Sequence, residues 1–179
     1  IWTLGMLHPR KLAFDLYSRY LWVDDYGQSF NMGGGQILYQ SEVNLVRPTE
    51  DVGANYSPFR HTRVTASPPI ADPLRYPVIR GYHGLPPPMP NDGSVFIGGY
   101  VYRGPVEALQ GRYIMGHPVF PDYDGARVAG IIQNNTRSYE GDRLPSLKAA
   151  GPVSAFGEDG ARNLYILATN GDIFVIVPA

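Results

Sequence analysis

The sequence predicts an all-β fold, on three observations. Short strand-like segments recur along the chain with turn residues between them. The 21 Gly and 17 Pro among 179 residues, with only 17% charged residues, make a chain rich in turns and poor in long helices. The 13 Tyr and 7 Phe, together with Val and Ile, favour strands.

Taken in order, Leu12-Ala13-Phe14-Asp15 precedes Tyr20-Leu21-Trp22-Val23, and Ile37-Leu38-Tyr39 precedes Val43-Asn44-Leu45-Val46. A polar, Pro-rich stretch then runs from about Pro48 to Asp92. Its Pro68-Pro69 and Pro86-Pro87-Pro88 cannot serve central strands, because Pro lacks the N–H donor. The stretch reads as a surface excursion. Strand signals return at Val95–Tyr102, Arg112–Met115 and Arg127–Ile132, then at Val153–Phe156, Asn163–Leu167 and Asp172–Val177. Ala168-Thr169-Asn170-Gly171 joins the last pair, and Asn-Gly is a strong hairpin signal because both residues accept positive φ. Three rough units emerge, residues 1–47, 93–132 and 150–178, each suited to one antiparallel, four-stranded blade of a β-propeller. The expected core is Phe14, Leu21, Trp22, Val43, Leu45, Val101, Ile114, Phe156, Leu164, Ile166 and Ile173.

Several function classes drop out. With no Cys there is no disulfide scaffold, thiolate metal site or cysteine nucleophile. A net charge of −1 without a basic stripe gives no footprint for nucleic acid. No apolar run reaches membrane-spanning length. Gly33-Gly34-Gly35 is not followed by Lys-Ser/Thr and is no phosphate loop. Asn55-Tyr56-Ser57 and Asn134-Asn135-Thr136 are N-glycosylation triplets, the second in a more turn-like setting; they agree with an extracellular or secreted protein (periplasmic if bacterial).

Four segments, in order, carry a family resemblance. The first is Gly5-Met6-Leu7-His8-Pro9-Arg10-Lys11-Leu12-Ala13-Phe14-Asp15 followed by Leu21-Trp22-Val23-Asp24-Asp25-Tyr26-Gly27-Gln28. The second is Glu42-Val43-Asn44-Leu45-Val46 with Gly53-Ala54-Asn55-Tyr56. The third is Gly98-Gly99-Tyr100-Val101-Tyr102-Arg103-Gly104 with Leu109-Gln110-Gly111-Arg112-Tyr113, and the fourth Phe156-Gly157-Glu158-Asp159-Gly160 with Leu164-Tyr165. The chain resembles the C-terminal half of the glucose/sorbosone dehydrogenase family, six-bladed propellers that oxidise an aldose at C1 with pyrroloquinoline quinone and Ca²⁺. The resemblance implies that the catalytic base lies upstream of Ile1. It implies that His8 and Arg103 border the cofactor, and that the backbone carbonyls of Gly27 and Gln28 ligate Ca²⁺. Read without the resemblance, the residues favour a tight turn at Gly27 and a structural ion pair for Arg103.

The chain also departs from that family. Leu7 and His8 stand where the motif has Arg and Asn, and Leu cannot pair with a quinone carboxylate. His117 replaces an Asp, and Ala149-Ala150-Gly151-Pro152-Val153 brings no Arg. His117, Asp122 and Asp124 cluster on a loop as either a metal site or a solvated turn. Two functions are therefore expected: a quinone-dependent sugar dehydrogenase with a degenerate cofactor site, or a non-catalytic extracellular propeller that binds protein or glycan or serves assembly. Hedgehog-interacting proteins use the family fold for binding but are Cys-rich, unlike this chain. Three blades leave open edges, so the missing N-terminal half of the propeller, or another chain, is the expected partner.

Overall fold

The computed structural model describes residues 6–46, 79–83, 96–116, 130–132, 139–140 and 152–178. Asn55, His117, Asp122, Asp124, Asn134 and residues 149–151 lie outside them. The chain divides into two compact units, Ile1–Val95 and Phe96–Ala179. Every strand pairing among the described residues is antiparallel. Helical structure there is limited to one 3-10 turn, Glu107–Leu109.

In the first unit, strands β1 (Pro9–Asp15), β2 (Tyr20–Gly33), β3 (Gln36–Val46) and β4 (Ile79–His83) form one sheet in chain order. The β1–β2 turn is closed by the Asp15 side chain, which accepts from the Ser18 hydroxyl at 2.6 Å and from the Tyr17 and Ser18 amides at 3.3 Å. Between β2 and β3, Gly33 pairs with Gln36 and both Gly34 (φ 61°) and Gly35 (φ 80°) are left-handed. This two-residue loop matches the right-handed strand twist, and it is what the glycine run serves. β4 falls within the Pro-rich stretch, between its two proline clusters, and pairs with β3 from Tyr39↔His83 to Val43↔Ile79. The first sheet thus draws its fourth strand from the segment read as an excursion.

Side chains alternate across a strand. In β1 the covered positions are Ala13 and Asp15, so Phe14 faces outward and is 43% exposed; its expected place in the core is corrected. Trp22 and Val43 are buried as expected, while Leu21 and Leu45 are half-buried. Val23, Leu38 and Val46 are buried as well.

The described residues of the second unit form two sheets. β5 (Ile97–Val101), β6 (Arg112–Gly116), β7 (Gly130–Ile132) and β8 (Tyr139–Glu140) make the four-stranded one. β9 (Val153–Glu158), β10 (Leu164–Ala168) and β11 (Ile173–Val175) make the other, in the order β11-β10-β9. Tyr102, Leu109, Ile114, Val153, Phe156, Leu164 and Ile166 form a shared core. Glycines permit the close approach: a Cβ on Gly99 would stand 1.9 Å from the Ile114 carbonyl oxygen, and one on Gly116 would stand 2.7 Å from the Val153 Cβ. Val101, Ile114, Phe156, Leu164 and Ile166 are buried as expected.

Ile173 is 69% exposed, a second correction. The inward residues are Phe174 on β11 and Ile176 just beyond it, which pack against the core. The β10–β11 hairpin falls at the expected place with a different geometry. Gly171 (φ 94°) is left-handed and Asn170 is not. The Gly171 amide donates to the Ala168 carbonyl and the Ala168 amide to that of Asp172. The connection is therefore a three-residue loop closed by a left-handed glycine, with Asn170 Oδ1 accepting from the Asp172 amide at 3.0 Å.

These placements fix two stability outcomes. Trp22→Ala should lower the unfolding free energy by about 3–5 kcal/mol, read by chemical denaturation. Gly99→Ala, forced against a backbone carbonyl, should cost about 1–3 kcal/mol through overpacking. An unchanged melt for either would contradict the strand placement in its unit.

Candidate functional site

His8 lies against Tyr26 of β2, next in the chain to the Gly27–Gln28 pair, in the first unit. Asp25 of that strand is fully buried. Its carboxylate accepts the Leu7 amide on Oδ2 at 3.0 Å and the His8 amide on Oδ1 at 2.6 Å. The Tyr26 amide in turn donates to the His8 carbonyl at 3.1 Å, and His8 Nδ1 lies 3.1 Å from the Tyr26 carbonyl. A carbonyl only accepts, so that contact places a proton on Nδ1 and leaves Nε2 of a neutral ring as an acceptor. The entry to β1 is held against β2 by both backbone and side chain, and the Leu7 and His8 side chains are exposed.

Gly27 and Gln28 are not a turn between strands. They lie inside β2. Tyr26 pairs with Ser41 and Ser29 with Tyr39, so Gly27 and Gln28 together oppose the single residue Gln40. This is a β-bulge, which leaves an extra residue outside the ladder and re-aims the backbone. The tight-turn reading is corrected: the turn is taken by Gly34-Gly35, farther along the same hairpin. Beside the bulge, the Arg10 guanidinium lies 4.1 Å from the Tyr26 ring centroid, and Tyr26 meets Tyr39 at 6.0 Å. Burial raises the Tyr26 phenol above its ordinary value; Arg10 opposes that shift and Tyr39 adds to it.

A polar set on β3 escaped the sequence reading. Gln40, Glu42 and Asn44 alternate on the face that also carries Asp25, and all four are buried. Glu42 stands directly opposite Asp25, and Gln40 Nε2 donates to Glu42 Oε1. Asn44 Nδ2 has no hydrogen-bond partner among the described residues. The signal that could have found them is period-two polarity inside an apolar strand, Gln40-x-Glu42-x-Asn44. Among the described residues no group of three or more His, Asp or Glu side chains is placed to hold a metal ion.

Arg103 belongs to the second unit. It follows the buried Tyr102, whose backbone brackets the β5–β6 connection: the Tyr102 amide donates to Arg112 and the Gly111 amide to Tyr102. A Cβ on Gly111 (φ 76°) would stand 3.7 Å from the Arg103 guanidinium. A Cβ on Gly104 would stand 2.7 Å from the Tyr102 ring and 2.8 Å from the Arg162 carbonyl oxygen, so the Tyr-Arg-Gly run needs its glycine. Arg103 itself takes part in interactions within the protein.

In the β9–β10 loop, Asp159 Oδ1 accepts the Ala161 and Asn163 amides, each at 2.9 Å. Oδ2 accepts Asn163 Nδ2 at 2.9 Å and the Tyr165 hydroxyl at 3.0 Å. Arg162 takes φ 69° and bridges Glu158 at 3.1 Å. The Asn163 side chain foremost, then its amide, hold the Asp159 carboxyl below its ordinary value, with Tyr165 and Ala161 adding to the effect and desolvation opposing it. The same bond raises the Tyr165 phenol.

A comparison with protein-family models finds no match. The HIPL1 protein of Arabidopsis thaliana is 25% identical over 205 aligned residues, which take in all of this chain and 28% of that relative. The chain therefore spans little more than a quarter of the length of the curated relative it matches.

The lowered Asp159 value carries a sign. Its stabilising contribution is present above the ordinary aspartate value of about 3.9 and is lost as pH falls through the lower folded-state value. Thermal melts of the wild type and Asp159→Asn should differ most near neutral pH and converge in strong acid. A gap that stays constant across that range would contradict the assignment.

Proposed function

We propose that this chain forms part of a six-bladed, sugar-dehydrogenase-like propeller whose quinone site is degenerate, with the remaining blades lying N-terminal to Ile1. The observation that carries the reading is the Asp25 clamp. It fixes the backbone of Leu7 and His8, so these two side chains are what the first unit presents where the family pattern has Arg and Asn. Leu7 offers no charge to a carboxylate, and an anion facing it is left partly unpaired. Arg10, the cation nearby, lies over Tyr26. The residues do not fit the tricarboxylate quinone, and no catalytic step is derived through it.

The Gly27–Gln28 bulge is the better part of the cofactor reading. A bulge frees backbone groups from the ladder, and carbonyl oxygens suit a hard cation such as Ca²⁺. Among the described residues, two four-stranded sheets and one of three strands are in keeping with blades. The loss of cationic contacts favours use of the propeller for extracellular binding or assembly over turnover. Among the described residues no helix is long and apolar enough to cross a membrane.

Reconstitution with pyrroloquinoline quinone and Ca²⁺ tests the proposal. The complete polypeptide should bind quinone weakly and reduce no dye with aldoses. Leu7→Arg combined with His8→Asn should raise quinone affinity by about tenfold or more, the worth of a single charge-assisted hydrogen bond. Tight stoichiometric binding by the unmodified protein, with aldose-dependent dye reduction, would overturn the degenerate-site reading.

A further inference from the structure

The loop between β10 and β11 carries a residue pair with chemistry of its own. Asn170 is the single asparagine of the chain that is followed by glycine. Both Asn170 and Gly171 are exposed. Glycine has no side chain to shield its amide nitrogen, and Gly171, at φ 94°, sits in backbone space that other residues rarely enter. Its nitrogen is the main-chain group best suited to attack the preceding side-chain amide.

Both polar ends of the Asn170 side chain meet Asp172. Oδ1 accepts the Asp172 amide at 3.0 Å, and Nδ2 donates to Asp172 Oδ2 at 2.8 Å. The Asp172 amide thus stands where negative charge would gather on Oδ1 as the amide carbon is attacked. The Gly171 amide donates to the Ala168 carbonyl at 3.1 Å and has to be released first. The same loop holds β11 in place. The Ala168 amide donates to the Asp172 carbonyl at 2.9 Å, the Ile176 amide donates to the Leu164 carbonyl at 3.1 Å, and Phe174 and Ile176 lie on the core. Asp159-Gly160, in the β9–β10 loop, has the same spacing but not the same chemistry. Its carboxylate is a poor electrophile, and four donors tie it down.

We propose that Asn170 is a site of spontaneous deamidation, and that the carboxylate gained there beside Asp172 unlocks the β10–β11 hairpin. The Gly171 nitrogen gives its proton to water and forms a bond to Asn170 Cγ. The Cγ–Nδ2 bond breaks and ammonia leaves. The cyclic imide then takes up one water, which opens one of its two C–N bonds. One opening leaves aspartate at position 170; the other leaves isoaspartate, with the main chain routed through the side-chain carbon. The net change is an amide and water giving a carboxylate and ammonium, with no oxidant or metal. In the aspartate product an oxygen replaces the donor that met Asp172 Oδ2, so a hydrogen bond becomes a contact between like charges. In the isoaspartate product the longer main chain also upsets the spacing of Ala168, Gly171 and Asp172. The inference stands apart from the propeller reading and uses only this hairpin.

Peptide mapping of the complete polypeptide after incubation at mildly alkaline pH tests the site. Asn170 should lose its amide while Asn31 and Asn163 keep theirs, and both aspartate and isoaspartate should form. Asn170→Asp installs the charge without the reaction. It should lower the melting temperature by about 1–2 °C and speed hydrogen exchange of the Ile176 amide. Adding Asp172→Asn should cancel both effects, as expected for repulsion within one pair. An Asn170 that keeps its amide as long as Asn31 does would overturn the modification site. A wild-type melt for Asn170→Asp, or a loss that persists once Asp172→Asn is added, would overturn the unlocking.

Discussion

A single buried carboxylate organises the first unit. Asp25 has no access to solvent, and each of its oxygens accepts a backbone amide from the segment that leads into β1. Burial of such a group is tolerated only where hydrogen bonds replace the lost water. Here those bonds also fix where Leu7 and His8 stand, set β1 alongside β2 and carry the register up to the bulge at Gly27. The exposed Leu7 and His8 side chains are thus placed by a contact in which they take no part. Leu7 and His8 are held through their backbone amides, independently of the side chains they carry.

Much of the motif resemblance in the second unit serves packing. Gly99 lies against the Ile114 backbone, Gly104 against the Tyr102 ring, and Gly111 supplies a left-handed turn under Arg103. Asp159 ties its loop through four hydrogen bonds. Residues of this kind are demanded by the way the strands meet, whatever reaction the whole protein performs. A chain can keep them whatever side chains it carries at Leu7 and His8.

The strands and their antiparallel order were legible because β-branched and aromatic runs alternate with turn residues. Which face of each strand turns inward was less so. Phe14 lies on β1 between Ala13 and Asp15, and nothing local says that the smaller and the charged residue face the covered side. Ile173 fails for a related reason: on an edge strand with two apolar faces, period two offers no choice between Ile173 and Phe174. β4 was hidden because Ile79–His83 is a short run between proline clusters, and only its pairing with β3 makes it a strand. Within the candidate site, His8 was named from sequence and lies against Tyr26, next in the chain to the Gly27–Gln28 pair that was named with it. The clamp that joins them was not legible, since Asp25 sits in a run of strand residues whose partners are backbone amides about seventeen positions away. Nor was the Gln40, Glu42, Asn44 face, because buried polarity shows in a sequence only once the strand's inner face is known.

The central claim is that the Asp25 carboxylate holds the Leu7–His8 segment. Chemical denaturation of Asp25→Ala measures it directly. Two partly buried amide donors lose their acceptor, so the unfolding free energy should fall by about 1–3 kcal/mol, and Asp25→Asn, which keeps one acceptor oxygen, should fall in between. A wild-type unfolding curve for Asp25→Ala would contradict the account, for it would mean that the segment bearing Leu7 and His8 is positioned by something else.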